Sequence, residues 1–190
     1  MTTAGDIEIR PLGSPGDLGW IVLRHAELFS AEQGWSTGFE EATLEIAIGF
    51  ARSPSPRQAG WIATLDGARA GSVLVVPTED PTTARVRVLL VDPTARGRGT
   101  GGRLVRRCIE FAREAGYETL TLSTMTQLTT ARRIYDELGF VLTTSERRHR
   151  FGAEVTDEQW DLQLSPASTP VRAGRGGRGG RGGRDGTGNT

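Results

Sequence analysis

Four apolar residues in a row, Val88-Leu89-Leu90-Val91, are followed after Asp92-Pro93 by Arg96-Gly97-Arg98-Gly99-Thr100-Gly101-Gly102 and then by apolar residues at helical spacing (Leu104, Val105, Cys108, Ile109, Ala112) up to Gly116. The uninterrupted apolar run suits a strand buried on both faces. The glycines leave successive backbone N–H groups unobstructed at the positive end of a helix dipole, which makes an anion-binding nest. Arg96, Arg98 and Arg103 add charge, and each charge-assisted hydrogen bond to a phosphate contributes about 1.5 to 3 kcal/mol. A strand, a glycine nest and a helix in that order point to a sheet with crossover helices and to a phosphate-bearing guest.

The rest of the chain supplies the other layers. Residues Asp6 to Pro11 alternate with period two and predict an edge strand, with Pro11 tolerated at its end. Asp17 to Arg52 is helical in period, with Leu18, Ile21, Val22, His25, Leu28 and Phe29 on one stripe, a break at Gly34, a second run through Leu44, Ile46 and Phe50, and a stop at Ser53-Pro54-Ser55-Pro56. Trp61 to Leu65 and Ala70 to Val76 read as strands joined by Asp66-Gly67, a dipeptide suited to a tight hairpin turn. Ala84 to Val91 is the next strand, Thr119 to Ser123 a short one, and Thr129 to Leu138 a helix closed by Gly139. Phe140 to Arg148 and Gln159 to Leu164 form a final strand pair. The predicted class is α+β (α/β), with a mixed central sheet of about six to seven strands, one parallel pair among them, flanked by about four helices.

The glycine segment satisfies G-x-G-x-x-G (Gly97, Gly99, Gly102), a dinucleotide fingerprint. That fingerprint wants a tight turn directly after the strand and an acidic residue about 20 positions on. Here Asp92 to Ala95 intervenes and the next strand ends in Ser123-Thr124-Met125. The same letters fit Arg-x-x-Gly-x-Gly (Arg96, Gly99, Gly101), and in that form they resemble the acetyl-CoA loop of the GNAT superfamily. Ala131, Tyr135, Gly139 and Phe140 in TARRIYDELGF resemble the second signature of that superfamily. The similarity covers residues 6 to 164. More narrowly, VDPTARGRGTGGRLV and HAELFSAEQGW resemble acetyltransferase domains found fused behind MarR-type regulators, without the regulator. Leu128 stands where the family often has Asn, which leaves Thr129 or Thr130 for contact with the pantetheine arm.

The resemblance implies a GNAT fold in which strands Ala84 to Val91 and Thr119 to Ser123 are splayed parallel neighbours with the pantetheine arm between them. It implies an N-acetyltransferase that passes an acetyl group from acetyl-CoA to a primary amine by direct attack in a ternary complex. Coenzyme contacts are then expected from the backbone of Leu89, Leu90 and Val91, from Arg96, Gly97, Arg98, Gly99, Thr100, Gly101 and Gly102, and from Thr130 and Tyr135. Tyr135 is the candidate general acid for the departing thiolate, and Glu32 and His25 are candidate bases, with Trp35 as a pocket wall. His25 lies on the apolar stripe and reads first as a core histidine; Glu32 reads first as a solvated helix-end carboxylate. Cys108 sits among apolar residues and reads as packing, with no acyl-cysteine step. Arg85 and Arg87 alternate with apolar positions and read as the polar face of their strand, with an acidic substrate as the other reading.

Composition sets the surroundings. The chain is 36% hydrophobic and 24% charged with zero formal net charge, and no run approaches the roughly 20 apolar residues of a membrane span. The N-terminus has neither a basic region nor an apolar core, so no secretory signal is expected and the expected location is the cytoplasm, in line with a single cysteine. No membrane partner and no metal are expected; monomer and homodimer are both open. All 23 basic residues are Arg. Residues 1–165 are expected to form one domain and 166–190 a disordered tail, Pro/Ser/Thr-rich and then an RGG array. The array (residues 172–184) could touch nucleic acid weakly and in a salt-sensitive way. A catalytically silent acyl-CoA sensor on the same fold is the other alternative.

Overall fold

Alternating apolar and polar residues at the start of the chain form strand β1 (Ile7–Pro11), an edge strand as expected. The computed structural model describes residues 5–164; the Arg/Gly array lies outside them. Helices α1 (Asp17–Gln33) and α2 (Thr37–Arg52) follow, separated by Gly34 in the left-handed conformation (φ 68°) and by Ser36, which caps α2. Strands β2 (Ala59–Leu65) and β3 (Ala68–Pro77) are joined by Asp66 and Gly67, both at positive φ, as a two-residue hairpin turn demands. Then come β4 (Thr83–Val91), a single 3₁₀ turn (Pro93–Ala95), α3 (Thr100–Glu114), β5 (Thr119–Met125), α4 (Thr129–Glu137), β6 (Val141–Arg150) and β7 (Ala153–Gln163).

The strands make one seven-stranded sheet in the order β1-β2-β3-β4-β5-β7-β6, antiparallel except for β4 and β5. The parallel pairing runs only from Thr83↔Thr119 to Val86↔Leu122. Beyond that point β4 continues to Val91 beside β3 and β5 to Met125 beside β7 without pairing with each other, so the sheet forks at its centre. On β4 the fork begins with a bulge. Ser72 of β3 faces Leu90 and Leu74 faces Arg87, leaving Val88 and Leu89 opposite Val73 alone, with Val88 at φ 47°. The expectation of a run buried on both faces is corrected here. Only Leu90 is buried, and Val88, Leu89 and Val91 are half-covered, because the bulge turns part of the strand toward the open fork.

Each face carries one helical layer. Leu104, Val105, Cys108 and Ala112 of α3 pack with Val73, Val75, Ala84, Val86, Leu120 and Leu122 in the main core, where Tyr135 of α4 also lies. Ile21 of α1 packs with Ile62 and Leu74 on the opposite face. Asp17 fixes the entry to α1. Its buried carboxylate accepts hydrogen bonds from Arg10, Arg69 and the amides of Gly13 and Ser14. Those partners, Arg10 first, hold its pKa far below the usual carboxylate range. The last strand is longer than its sequence suggests. β7 begins at Ala153, just after a tight turn at Phe151 and Gly152.

Candidate active site

The glycine segment forms the turn into α3. Gly97 and Gly99 both sit at φ 72°, and a Cβ built on either meets nothing within 4 Å, so the space in front of the helix is open. No side chain caps α3, and the first amide bonded within the helix is that of Arg103, to the Gly99 carbonyl at 3.0 Å. The amides ahead of it are therefore left for an anion. Gly101 has a different task. A Cβ there would lie 2.8 Å from Ile134 Cδ1 and 3.5 Å from Val91 Cγ2. Its absence lets the start of α3, the end of β4 and the middle of α4 meet at one point, and Tyr135 is the next residue along α4.

Tyr135 is buried in the main core, with its ring 5.8 Å from that of Phe140 and 6.5 Å from that of Trp160. Burial, with the neighbouring Cys108 adding to it, pushes the phenol well above its ordinary value, so it keeps its proton at neutral pH. Burial likewise raises the Cys108 thiol, which is enclosed in the α3 core. Arg96 links the nest to the fork. Its Nε donates to the Val91 carbonyl at 3.2 Å, and its guanidinium pairs with the Glu32 carboxylate at 2.7 Å. Glu32 is thus drawn from the end of α1 to the edge of the site. Arg98 reaches back to the Gly5 carbonyl at 3.3 Å.

Two expectations change character. The Thr100 side chain is buried and donates to the Ala95 carbonyl at 2.8 Å, so only its backbone amide faces the nest. His25 is 2% exposed, its Nδ1 donates to the Ile21 carbonyl at 2.8 Å, and it stacks against Phe29. Desolvation lowers its pKa to about 4, so it stays neutral and sealed, and a base must touch its substrate or a water. Thr130 is exposed on the first turn of α4.

The structure also brings forward residues that the sequence reading treated lightly or missed. Phe151, at the tip of the β6–β7 hairpin, packs 5.5 Å from Trp35 and 5.1 Å from Phe39, and its carbonyl accepts from the Ser36 amide at 2.9 Å. The hairpin therefore closes onto the corner between α1 and α2. Asp92 ties the loop after β4 to α1 through Arg24 at 2.7 Å, and its other oxygen accepts from the Thr94 amide and hydroxyl. Asp157, opposite Met125 at the open end of the fork, pairs with Arg150 at 2.9 Å while its Oδ1 is buried without a partner. Asp92 followed by Pro93 was a readable turn signal, whereas nothing local marks Asp157. Among the described residues no group of acidic, His or Cys side chains is arranged to hold a metal ion, and no helix is long and apolar enough to cross a membrane.

Residues 20–140 match the acetyltransferase (GNAT) family. The chain belongs to that family. N-acetylaspartate synthetase of Danio rerio is 38% identical over 80 residues, 42% of this chain and 28% of that protein. Human N-acetyltransferase 8B is 36% identical over 84 residues, 42% of this chain and 37% of that protein. The matched segments thus span about a third of these relatives' lengths. An uncharacterized N-acetyltransferase of Schizosaccharomyces pombe is 28% identical over 75% of this chain and 88% of its own. Among solved structures, a GNAT-family acetyltransferase of Streptococcus pneumoniae superposes with a TM-score of 0.67 at 20% identity, covering 84% of this chain and all of that one. A Salmonella typhimurium structure solved with acetyl-CoA as its cofactor gives 0.68 at 19% identity, over 88% and 99%. At these identities the superpositions establish the GNAT fold, with the forked parallel pair as its central feature.

Proposed function

We propose that this GNAT protein transfers an acetyl group from acetyl-CoA to a primary amine by direct attack in a ternary complex. The observation that carries this reading is the convergence at Gly101, which sets the open amides of α3, the end of β4 that β5 leaves uncovered and the phenol-bearing turn of α4 side by side. The amides of Gly97, Gly99, Thr100, Gly101 and Gly102, with Arg96 and Arg98, would hold the diphosphate. Leu89, Leu90 and Val91 would offer backbone groups to the pantetheine arm, with Thr130 at its flank. When bound, the coenzyme supplies an activated thioester.

The residues then divide the work. An amide near Leu90 polarises the thioester carbonyl, where a donor aimed at developing charge lowers the barrier most. Tyr135, a phenol that carries its proton at neutral pH, gives it to the departing sulfur as the C–S bond breaks. Arg96 turns from Glu32 and the Val91 carbonyl toward phosphate, which frees both groups at once. Glu32, released beside the α1–α2 corner, takes through water the proton that the attacking nitrogen sheds as the C–N bond forms and the C–S bond breaks. Positioning of the two reactants supplies much of the rate. The narrower kinship with domains fused behind MarR-type regulators is proposed on the two sequence stretches alone.

Calorimetry with acetyl-CoA and a thiol-release assay over pooled amines test the proposal. Wild type should bind and turn over, and Tyr135→Phe should bind acetyl-CoA equally while turnover falls about 10²- to 10⁴-fold. Absence of acetyl-CoA binding removes the reading. Binding without turnover over a broad amine panel leaves an acyl-CoA sensor in its place.

A further inference from the structure

Arg85 and Arg87 are not the solvated face of a strand. Their neighbours Ala84 and Val86 point into the α3 core, so the two arginines point to the other face, in the rows of Val76 and Leu74, where Leu74 packs under α1. Arg87 follows directly after Val86, the last residue of β4 paired with β5. It therefore stands at the apex of the fork, on the side away from the glycine nest. Both arginines line an open cleft of about 590 Å³, walled by the end of β3 and the turn Thr78–Asp80. That volume falls in the range of small-molecule sites.

Two arginines and two acids line this cavity, yet the arginines are not paired with the acids. The Arg85 Nε is buried and has no hydrogen-bond partner, and among the described residues neither Arg85 nor Arg87 has a carboxylate within 4.0 Å. Arg87 is pushed below the ordinary guanidinium value by burial first and then by the positive charges of Arg85 and Arg150. Two of the acids around it are committed elsewhere. Asp157 pairs with Arg150, and Asp80 accepts from the Thr82 amide and the Thr82 and Thr83 hydroxyls. Like charges gathered in a partly dehydrated pocket are costly to fold, and a bound anion relieves that cost. The planar guanidinium fork matches a carboxylate with two parallel hydrogen bonds. Glu79 and Asp80 line the same cavity; a carboxylate, with one charge per group, meets less repulsion from them than a phosphate group with two does.

We propose that the acceptor is an amine that also carries a carboxylate, and that Arg85 and Arg87 hold that carboxylate on the face opposite the coenzyme loop while the amine reaches the apex of the fork. This rests on the acetyltransferase reading for the amine, and on the cavity alone for the carboxylate. The two arginines act on the substrate's far end and take no part in bond making.

Titration calorimetry with glutarate, its diamide and inorganic phosphate, with and without saturating coenzyme A, tests the cavity without requiring turnover. Glutarate should bind saturably, the diamide should give no heat, phosphate should bind more weakly, and Arg85→Met or Arg87→Met should weaken glutarate about tenfold or more. Acetyl-CoA affinity should be unchanged in both variants, which shows that they fold. Equal binding of diamide and glutarate, tighter binding of phosphate, no binding of glutarate, or variants that bind it as wild type does would each overturn the proposal. In the thiol-release assay, an ω-amino acid should outrun its amide about 100-fold in kcat/KM and lose that lead in Arg87→Met. An acidic peptide arm decides the source: a peptide that outruns the free amino acid places the carboxylate on a polypeptide. Failure of acetyl-CoA to bind would strike the transferase reading while leaving the glutarate result to stand or fall by itself.

Discussion

The contact at Gly101 gives a prediction in which stability and catalysis move together. Gly101→Ala places a methyl 2.8 Å from Ile134 Cδ1, about 0.8 Å inside an ordinary carbon–carbon separation. Overpacking of this kind costs about 1 to 3 kcal/mol. Replacing glycine by alanine within a helix returns about 1 kcal/mol, so the net loss should be about 0 to 2 kcal/mol. Ile134→Val deletes the clashing carbon and alone costs about 0.5 to 1.5 kcal/mol. In the double variant the deletion relieves the clash, and the pair should be more stable than the sum of singles by about 1 kcal/mol. Because Ile134 adjoins Tyr135, Gly101→Ala should also lower kcat by displacing the phenol, and Ile134→Val should recover part of it. Urea unfolding followed by circular dichroism gives the coupling, and thiol release gives the rate. Additivity within about 0.5 kcal/mol would refute the idea that α3 and α4 are fitted through a missing Cβ.

Glu32→Gln should lower kcat about 100-fold without weakening acetyl-CoA, since the variant frees Arg96; a loss confined to coenzyme affinity would remove its role as proton acceptor. His25, with its pKa lowered to about 4, cannot take up a proton that the unfolded chain binds below about 6.5. Stability contributed by the neutral ring should be full above that value and fall by about 3 kcal/mol as pH drops to 4, a slope missing in His25→Phe when unfolding is followed across pH. Asp17 acts in a lower window. Its depressed folded value keeps its stabilisation intact above the unfolded value near 3.9 and loses it as pH falls further. Asp17→Asn should therefore destabilise by about 3 to 5 kcal/mol at pH 7 and flatten the acid limb of the profile.

The nest was legible because its requirement is local: glycines at positive φ ahead of an amphipathic helix can be read from one segment. Gly34 and the Asp66-Gly67 turn were readable for the same reason. The bulge at Val88 was not, since it depends on two β4 residues sharing one partner on β3. The first half of β7 also escaped notice. Glu158, which looks like a loop residue, is buried because it accepts from Arg132 of α4 at 2.8 Å and from the Trp160 indole at 3.1 Å. Arg85 and Arg87 follow the alternation of a half-exposed strand, and only the layer of α1 and α2 reveals that their face is covered. For His25 the apolar stripe already favoured the sealed position that the structure gives it.

The Ser36–Phe151 hydrogen bond and the aromatic stack around it join a hairpin to a helical corner far away in sequence. Hairpin and corner are thereby fastened to each other through backbone groups, between Gly34 on one side and Gly152 on the other, so a change at either piece is felt by both.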